Sequence, residues 1–311
     1  MRFAVMVEGQ EDVTWDDWRD LAATCERLGF ETLLRSDHYL SVDDRRERGS
    51  LDAWGTICAL AATTTTLRLG TLVSPATFRH PSVLAKLAVT ADHVSGGRIE
   101  LGVGTGWWEA EHEAYGFDFP SMKVRMDRMA EQLEVIAGSF REGPFTFAGE
   151  HYAVRDLDAR PRPVQDPLPI VMGGAAKPRG AGLAARFAAE YNAVGATPQE
   201  CLEVRGRLDQ ACQDAGRIPA TLPLSVMCGF LVGRDVQDLA ERADRLGAWR
   251  GQPVDIADLG RRWLVGTPDR LVERIREYAG MGVERIVLQH HLHRDHAALE
   301  LLAERVVPEL A

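Results

Sequence analysis

The sequence predicts an α/β protein, a (β/α)8 TIM barrel with insertions, on three observations. Eight short apolar runs are each followed by at least one segment of helical period. The runs read as continuously apolar, as parallel strands do when both faces are covered. The turn after the first run, "VEGQED", lacks the G-x-G-x-x-G fingerprint that the rival fold, an open doubly wound sheet, usually carries there. "GVGTGW" in the fourth unit matches that fingerprint only in part, because its third glycine is missing.

The elements follow in order. "RFAVMV" leads into "WDDWRDLAATCERLG", whose helical spacing stops at Gly29. "ETLLRSD" precedes "LDAWGTICALAATT", and "LRLGTLVS" precedes "PSVLAKLAVTADHVSGG". "RIELGVGTG" is followed by "WEAEHEAYG" and "KVRMDRMAEQLEVIAGSF". "LPIVMGG" precedes "AGLAARFAAE", and "YNAVGA" precedes "PQECLEVRGRLDQACQDAG". "LPLSVMCGFLVG" precedes "VQDLAERADRLGAW", and "RIVLQHH" precedes "HAALELLAERVVPEL". Two stretches are too long for minimal connections: residues 143–168, with a hairpin in "FTFAGEHYAV", and residues 249–268. Such excursions either cover a site as lids or decorate the periphery. The whole chain, 1–311, reads as a single barrel domain.

Composition narrows the function. Of 311 residues, 45% are hydrophobic and 26% charged, which suits a soluble protein with a large core. A net charge of −10 makes nucleic acid a poor partner. The five cysteines are scattered and without CxxC spacing, which argues against a disulfide frame or zinc ribbon. The N-terminus has no apolar leader core, and no run reaches the ~18 apolar residues of a membrane span. A cytoplasmic protein with no membrane or nucleic-acid partner is expected by elimination.

Barrel active sites lie where strands end and helices have not begun. Those ends carry Glu8, then Arg35-Ser36-Asp37-His38, then Val73-Ser74. They continue with Thr105-Gly106-Trp107-Trp108-Glu109, then Gly173-Gly174, then Gln289-His290-His291. In a closed barrel they share one mouth, rich in titratable and aromatic groups. In "VMGGAAKPRGAG", Gly173 and Gly174 allow close backbone approach, and Pro178 suits the first turn of a helix. The free amides there, with Lys177 and Arg179, make either an anion seat or a plain tight turn. Thr105 and Gly106 supply a second set of donors. No metal site is expected in "QHHLHRDH": neighbours on a strand point to opposite faces, so His290 and His291 cannot readily share an ion. One of the pair walls the mouth, with His290 the candidate. No GxSxG elbow supports a nucleophilic triad.

These segments together resemble the luciferase-like monooxygenase superfamily, and within it the coenzyme F420-dependent oxidoreductases. The pieces that carry the resemblance are "GFETLLRSDHYL", "LRLGTLVSPATFRHPSVLAKLAVTADHVSGGRIELGVGTGW", "EAEHEAYGFDFP", "LPIVMGG" and "GTPDRLVERIREYAGMGVERIVLQ". The resemblance implies a bacterial luciferase-like barrel with Asp37 and His38 against a deazaflavin ring, His38 moving the proton. It implies a bend under the ring at Leu72–Val73, often a non-proline cis peptide. It implies a cofactor tail held by Thr105, Gly106, Gly173 and Gly174, and a homodimer. Sugar-phosphate dehydrogenases of this family carry a glutamate directly after "GTG". Here Trp107 and Trp108 stand there, followed by Glu109. Glu109 is the candidate displaced acid, or it simply opens the next helix, where a carboxylate suits the dipole. Two indoles suggest a flat or apolar substrate rather than glucose 6-phosphate, with Glu8, Trp107, Trp108 and His290 around it. The expected activity is hydride transfer between F420 and a small organic molecule. The alternatives are an FMN-dependent monooxygenase and a non-catalytic flavin-binding protein.

Overall fold

The computed structural model describes residues 1–42, 45 and 47–310. In chain order the first elements are β1 (Arg2–Val7), α1 (Trp15–Leu28), β2 (Thr32–Arg35), α2 (Ala53–Thr63), β3 (Arg68–Thr71), β4 (Ser74–Pro75), α3 (Pro81–Ser95) and β5 (Ile99–Gly104). Then come α4 (Glu109–Tyr115), α5 (Met122–Phe140), β6 (Phe145–Ala148), β7 (Ala153–Leu157), β8 (Ile170–Gly173), α6 (Pro178–Phe187), β9 (Glu190–Val194) and α7 (Pro198–Asp214). The chain ends with β10 (Leu224–Val232), α8 (Val236–Arg250), α9 (Ile256–Leu259), β11 (Leu264–Gly266), α10 (Pro268–Gly280), β12 (Val283–Gln289) and α11 (His296–Arg305).

Eight parallel strands close into a ring in the order β1, β2, β3, β5, β8, β9, β10, β12 and back to β1. Register follows the two-residue period of a strand. Ala4 and Met6 point inward and meet Leu34, Leu72, Val171, Met227 and Val287 in a buried central layer. Phe3, Val5 and Val7 point outward into the larger core beneath the helices. Two helix starts are fixed by reciprocal capping boxes, Thr14 with Asp17 at α1 and Thr197 with Glu200 at α7.

Below the apolar layer, at the strands' N-terminal ends, the floor is an ion network. Arg285, 1% exposed, contacts Glu100 at 2.8 Å and Glu190 at 3.3 Å. Arg68 contacts Glu100 at 2.9 Å, and Arg2 bridges Glu190 and Glu31. Burial alone would raise the Glu100 pKa, but Arg285 and Arg68 hold it down at about 2.

The two insertions lie at opposite ends. The β6–β7 hairpin leads into a loop pinned to α3: Asp92 accepts from the Val164 and Gln165 amides. Gln165 in turn accepts from Arg68 at the floor, far from the mouth. In the second insertion β11 extends the last residues of β10. Arg48, from the loop after β2, stacks on Trp249 at 4.5 Å and donates to its carbonyl, which draws the start of this insertion over the mouth. No helix among the described residues is long and apolar enough to cross a membrane.

Candidate active site

A cavity of about 970 Å³ opens at the C-terminal ends of the strands. Glu8, His38, Leu72, Val73, Thr105, Gly106, Trp107, Gly173 and Gly174 all line it, although they come from five different strand ends. Trp249, Arg250, Gly251 and Gln252 add a wall from the second insertion.

The stretch after β2 splits by alternation. Arg35 turns outward, buried over the Trp18 ring and donating to Thr56 and Leu51. Ser36 and His38 turn inward and line the cavity. Asp37 turns away again: it accepts from Ser74 Oγ at 2.6 Å and is clamped by Arg79. It ties the loop after β2 to β4 and does not line the cavity. The alternation of side chains along an extended chain separates it from His38.

His38 is gripped from behind. Its Nδ1 lies 2.7 Å from Oε2 of Glu111, a side chain with no exposure. The other Glu111 oxygen accepts from the Tyr39 and Leu40 amides at 2.6 and 3.2 Å. Burial works against protonating the ring. The hydrogen bond and charge of Glu111, backed by Glu8 and Asp37, outweigh it, and the His38 pKa is raised. Trp107 and Trp108 lie near-perpendicular to the imidazole, with ring centroids at 5.8 and 6.1 Å.

Glu109 is exposed on the first turn of α4 and stands outside the cavity. Glu111 follows it by two residues, roughly 200° around a helix of 3.6 residues per turn, so it faces the barrel instead. The sequence offered two carboxylates in "EAE", and only the packing of α4 distinguishes them.

The next strand ends round the rim, those of β3, β5 and β8, present mainly backbone. The Leu72–Val73 peptide is cis. Val73 sits among glycines: a Cβ on Gly104 would lie 2.4 Å from its Cγ2, and one on Gly102 3.1 Å from its Cγ1. Side chains at these positions would collide with the bend. Gly106 has φ +77°, a region that disfavours side chains. At the turn after β8, the Gly174 amide donates to the Asn192 carbonyl and the Ala176 amide to the Tyr191 hydroxyl. The amides left for an anion are those of the first turn of α6, where Pro178 begins the helix and no side chain caps it. Arg179 pairs with Asp127.

The last strand end divides as its neighbours do. His290 faces outward, 4% exposed and stacked on Phe230. His291 lines the cavity, stacked on Trp263 at 4.6 Å with neither ring nitrogen bonded. Burial, then Arg250, lowers its pKa to about 3, so it serves as a neutral aromatic wall. Trp108 stacks beneath Trp107 but does not itself line the cavity. Glu8 accepts from Gln289 at 2.6 Å and Gln10 at 2.9 Å. Among the described residues it pairs with no arginine or lysine.

Comparisons with known proteins converge on one family. The sequence profile described as luciferase-like monooxygenase matches residues 1–262. An F420-dependent glucose-6-phosphate dehydrogenase of Nakamurella multipartita is 30% identical, over 94% of this chain and 91% of its own. An FMNH(2)-dependent dimethylsulfone monooxygenase of Pseudomonas putida is 25% identical, over 96% and 89%. A solved F420-dependent secondary alcohol dehydrogenase, in complex with an F420-acetone adduct, shares the fold with a TM-score of 0.84. It is 19% identical and is covered over 99% of its chain, against 100% of this one.

Proposed function

The chain belongs to the luciferase-like monooxygenase family, and on that premise we propose that it transfers hydride between coenzyme F420 and an organic substrate. The observation that carries this reading is the cavity itself. His38 supplies an imidazole to the wall, and the strand ends that continue round the rim from it, β3, β5 and β8, supply side-chain-poor backbone at Val73, Gly104, Gly106 and Gly173. Such a slot fits a flat ring. The uncapped first turn of α6 fits an anionic tail. When bound, a 5-deazaflavin supplies hydride chemistry at carbon 5 and reacts poorly with oxygen.

The chain's own residues position, exclude water and handle the proton. Leu72, Val73, Thr105, Gly106, Gly173 and Gly174 are the proposed cofactor contacts, and Asp37 holds their framework through Ser74. His38 is the proposed acid/base group. With Nδ1 bound to Glu111, Nε2 is the nitrogen left to exchange a proton in the cavity. Trp107, 59% exposed, offers the substrate a flat apolar face.

Glu8 speaks to the substrate's charge. Its carboxylate is satisfied by two neutral amides, so a phosphate brought beside it would meet unneutralised negative charge. Arg250 is the one arginine or lysine among the described residues lining the cavity, and it lies over Trp263 at 4.7 Å. The reading is therefore an uncharged or cationic substrate bearing a hydroxyl or amine, not a phosphorylated sugar.

A second reading, an FMN-dependent monooxygenase, shares the barrel and the anion seat. Titrating the purified protein with F420 and with FMN separates the two. Tight F420 binding with substrate-dependent change in its absorbance supports hydride transfer. Oxygen uptake driven by reduced FMN would replace it, and binding without turnover would make the chain a flavin carrier. We further propose a cytoplasmic homodimer on family resemblance, which sedimentation of the purified protein checks.

A further inference from the structure

We infer that Glu111 is a positioning residue: it fixes His38 with Nδ1–H turned inward and Nε2 turned to the cavity, and its charge favours the imidazolium. The inference rests on the reading of His38 as the proton-handling group but concerns a different residue. Glu111 sits on α4, whereas His38 follows β2. The packing of that short helix against the strand end creates the pair.

Both oxygens of Glu111 are spoken for. Oε2 faces His38 Nδ1 at 2.7 Å, and Oε1 receives two backbone amides. Backbone amides can only donate, so both require Oε1 as an acceptor. The carboxylate has no exposure, and among the described residues no arginine or lysine contacts it. A buried carboxylate without a countercharge is costly. A proton on His38 supplies that countercharge. The other charged groups facing His38 act in the same direction: Glu8 from the end of β1, and Asp37 from its own loop. Arg79, the guanidinium on Asp37, is also paired with Asp52. A carboxylate behind an imidazole fixes its tautomer and raises its basicity, as in other carboxylate–histidine pairs.

A purely structural role is the competing explanation, because Glu111 also pins the loop at Tyr39 and Leu40. Glu111→Gln separates the two. The glutamine oxygen can still accept the two amides, but its NH2 must donate to Nδ1, which forces the proton of a neutral ring onto Nε2. The test is nuclear magnetic resonance of ring-labelled histidine, with the His38 signal assigned by its loss in His38→Asn. In wild-type protein the expected result is titration above the ordinary 6.5 and an Nδ1–H neutral tautomer. In Glu111→Gln the midpoint moves down in pH and the tautomer switches to Nε2–H. The pH profile of hydride transfer moves the same way, with cofactor affinity retained. Unchanged titration and tautomer in the variant would overturn the proposal. Should the variant not fold, wild-type His38 titrating at or below 6.5, or with Nδ1 unprotonated in the neutral ring, overturns it equally. The readout does not need turnover. If His38→Ala leaves hydride transfer intact while Glu111→Gln shifts the titration, the role of His38 fails and the positioning stands.

Discussion

The two ends of the barrel use the same charged chemistry to opposite effect. At the floor, Arg2, Arg68 and Arg285 meet Glu31, Glu100 and Glu190, and Arg285 and Glu100 are almost wholly buried. Every one of these groups has an opposite charge. At the mouth, Glu11 has Arg48 and Asp37 has Arg79, but Glu8 has two neutral amides and Glu111 an imidazole. The floor closes its charges against one another and leaves nothing for a ligand. The mouth leaves groups satisfied on one side only, which is the arrangement a binding site needs. Removing one member of a closed network strands its partner. Removing one member of the open set should cost function more than fold.

The largest expected effect is therefore at the floor. Arg285→Ala leaves Glu100 and Glu190 buried without their main countercharge, and should cost about 3–5 kcal/mol in denaturant unfolding. An unfolding midpoint equal to wild type would mean that the network is not closed. At the mouth, His38→Ala should slow hydride transfer by roughly 10²–10⁴-fold while F420 affinity stays near wild type. A normal rate removes His38 from the proton step. Smaller still is Gly173→Leu. A Cβ there meets only ordinary contacts, at 3.6 Å from Val73, so the fold tolerates it, while the longer side chain enters the cavity. Weaker F420 binding with unchanged melting is expected, and unaltered affinity would place the cofactor elsewhere.

The mildest test sets the two ends against each other by pH. Glu100 is held at about 2 against an ordinary 4.5, so its contribution to stability is full above 4.5 and is lost as pH falls toward 2. His38 is raised, so its contribution is full below 6.5 and is lost as pH climbs through the higher folded value. Unfolding free energies measured across pH should show a shallower alkaline-side decline in Glu111→Gln and a shallower acid-side decline in an Arg285→Met, Glu100→Met pair. Parallel curves for all three proteins would refute the division between floor and mouth.

Much of this was legible in the chain. Each of the eight apolar runs contains one barrel strand, and each glycine-rich strand end reaches the rim, because strand period and turn chemistry are local properties. His38, Val73, Gly106 and Trp107 line the cavity for the same reason: they follow directly on their strands. The sequence could not rank Glu109 against Glu111, or His290 against His291. Each choice depends on how an element is rotated against its neighbours, and rotation is settled by contacts with residues distant in the chain. The placement of the two insertions was equally closed to local reading, since Asp92 and Arg48 anchor them from far away in sequence.

What the sequence determined by itself is the ring: eight runs too apolar to face water, each followed by a helix able to cover it. Closing that ring obliges scattered strand ends to converge. What only the tertiary structure decided is which side chains look inward once they arrive. The physical reason is that a two-residue step reverses a helix face and a one-residue step reverses a strand face. Packing across the barrel chooses between those faces.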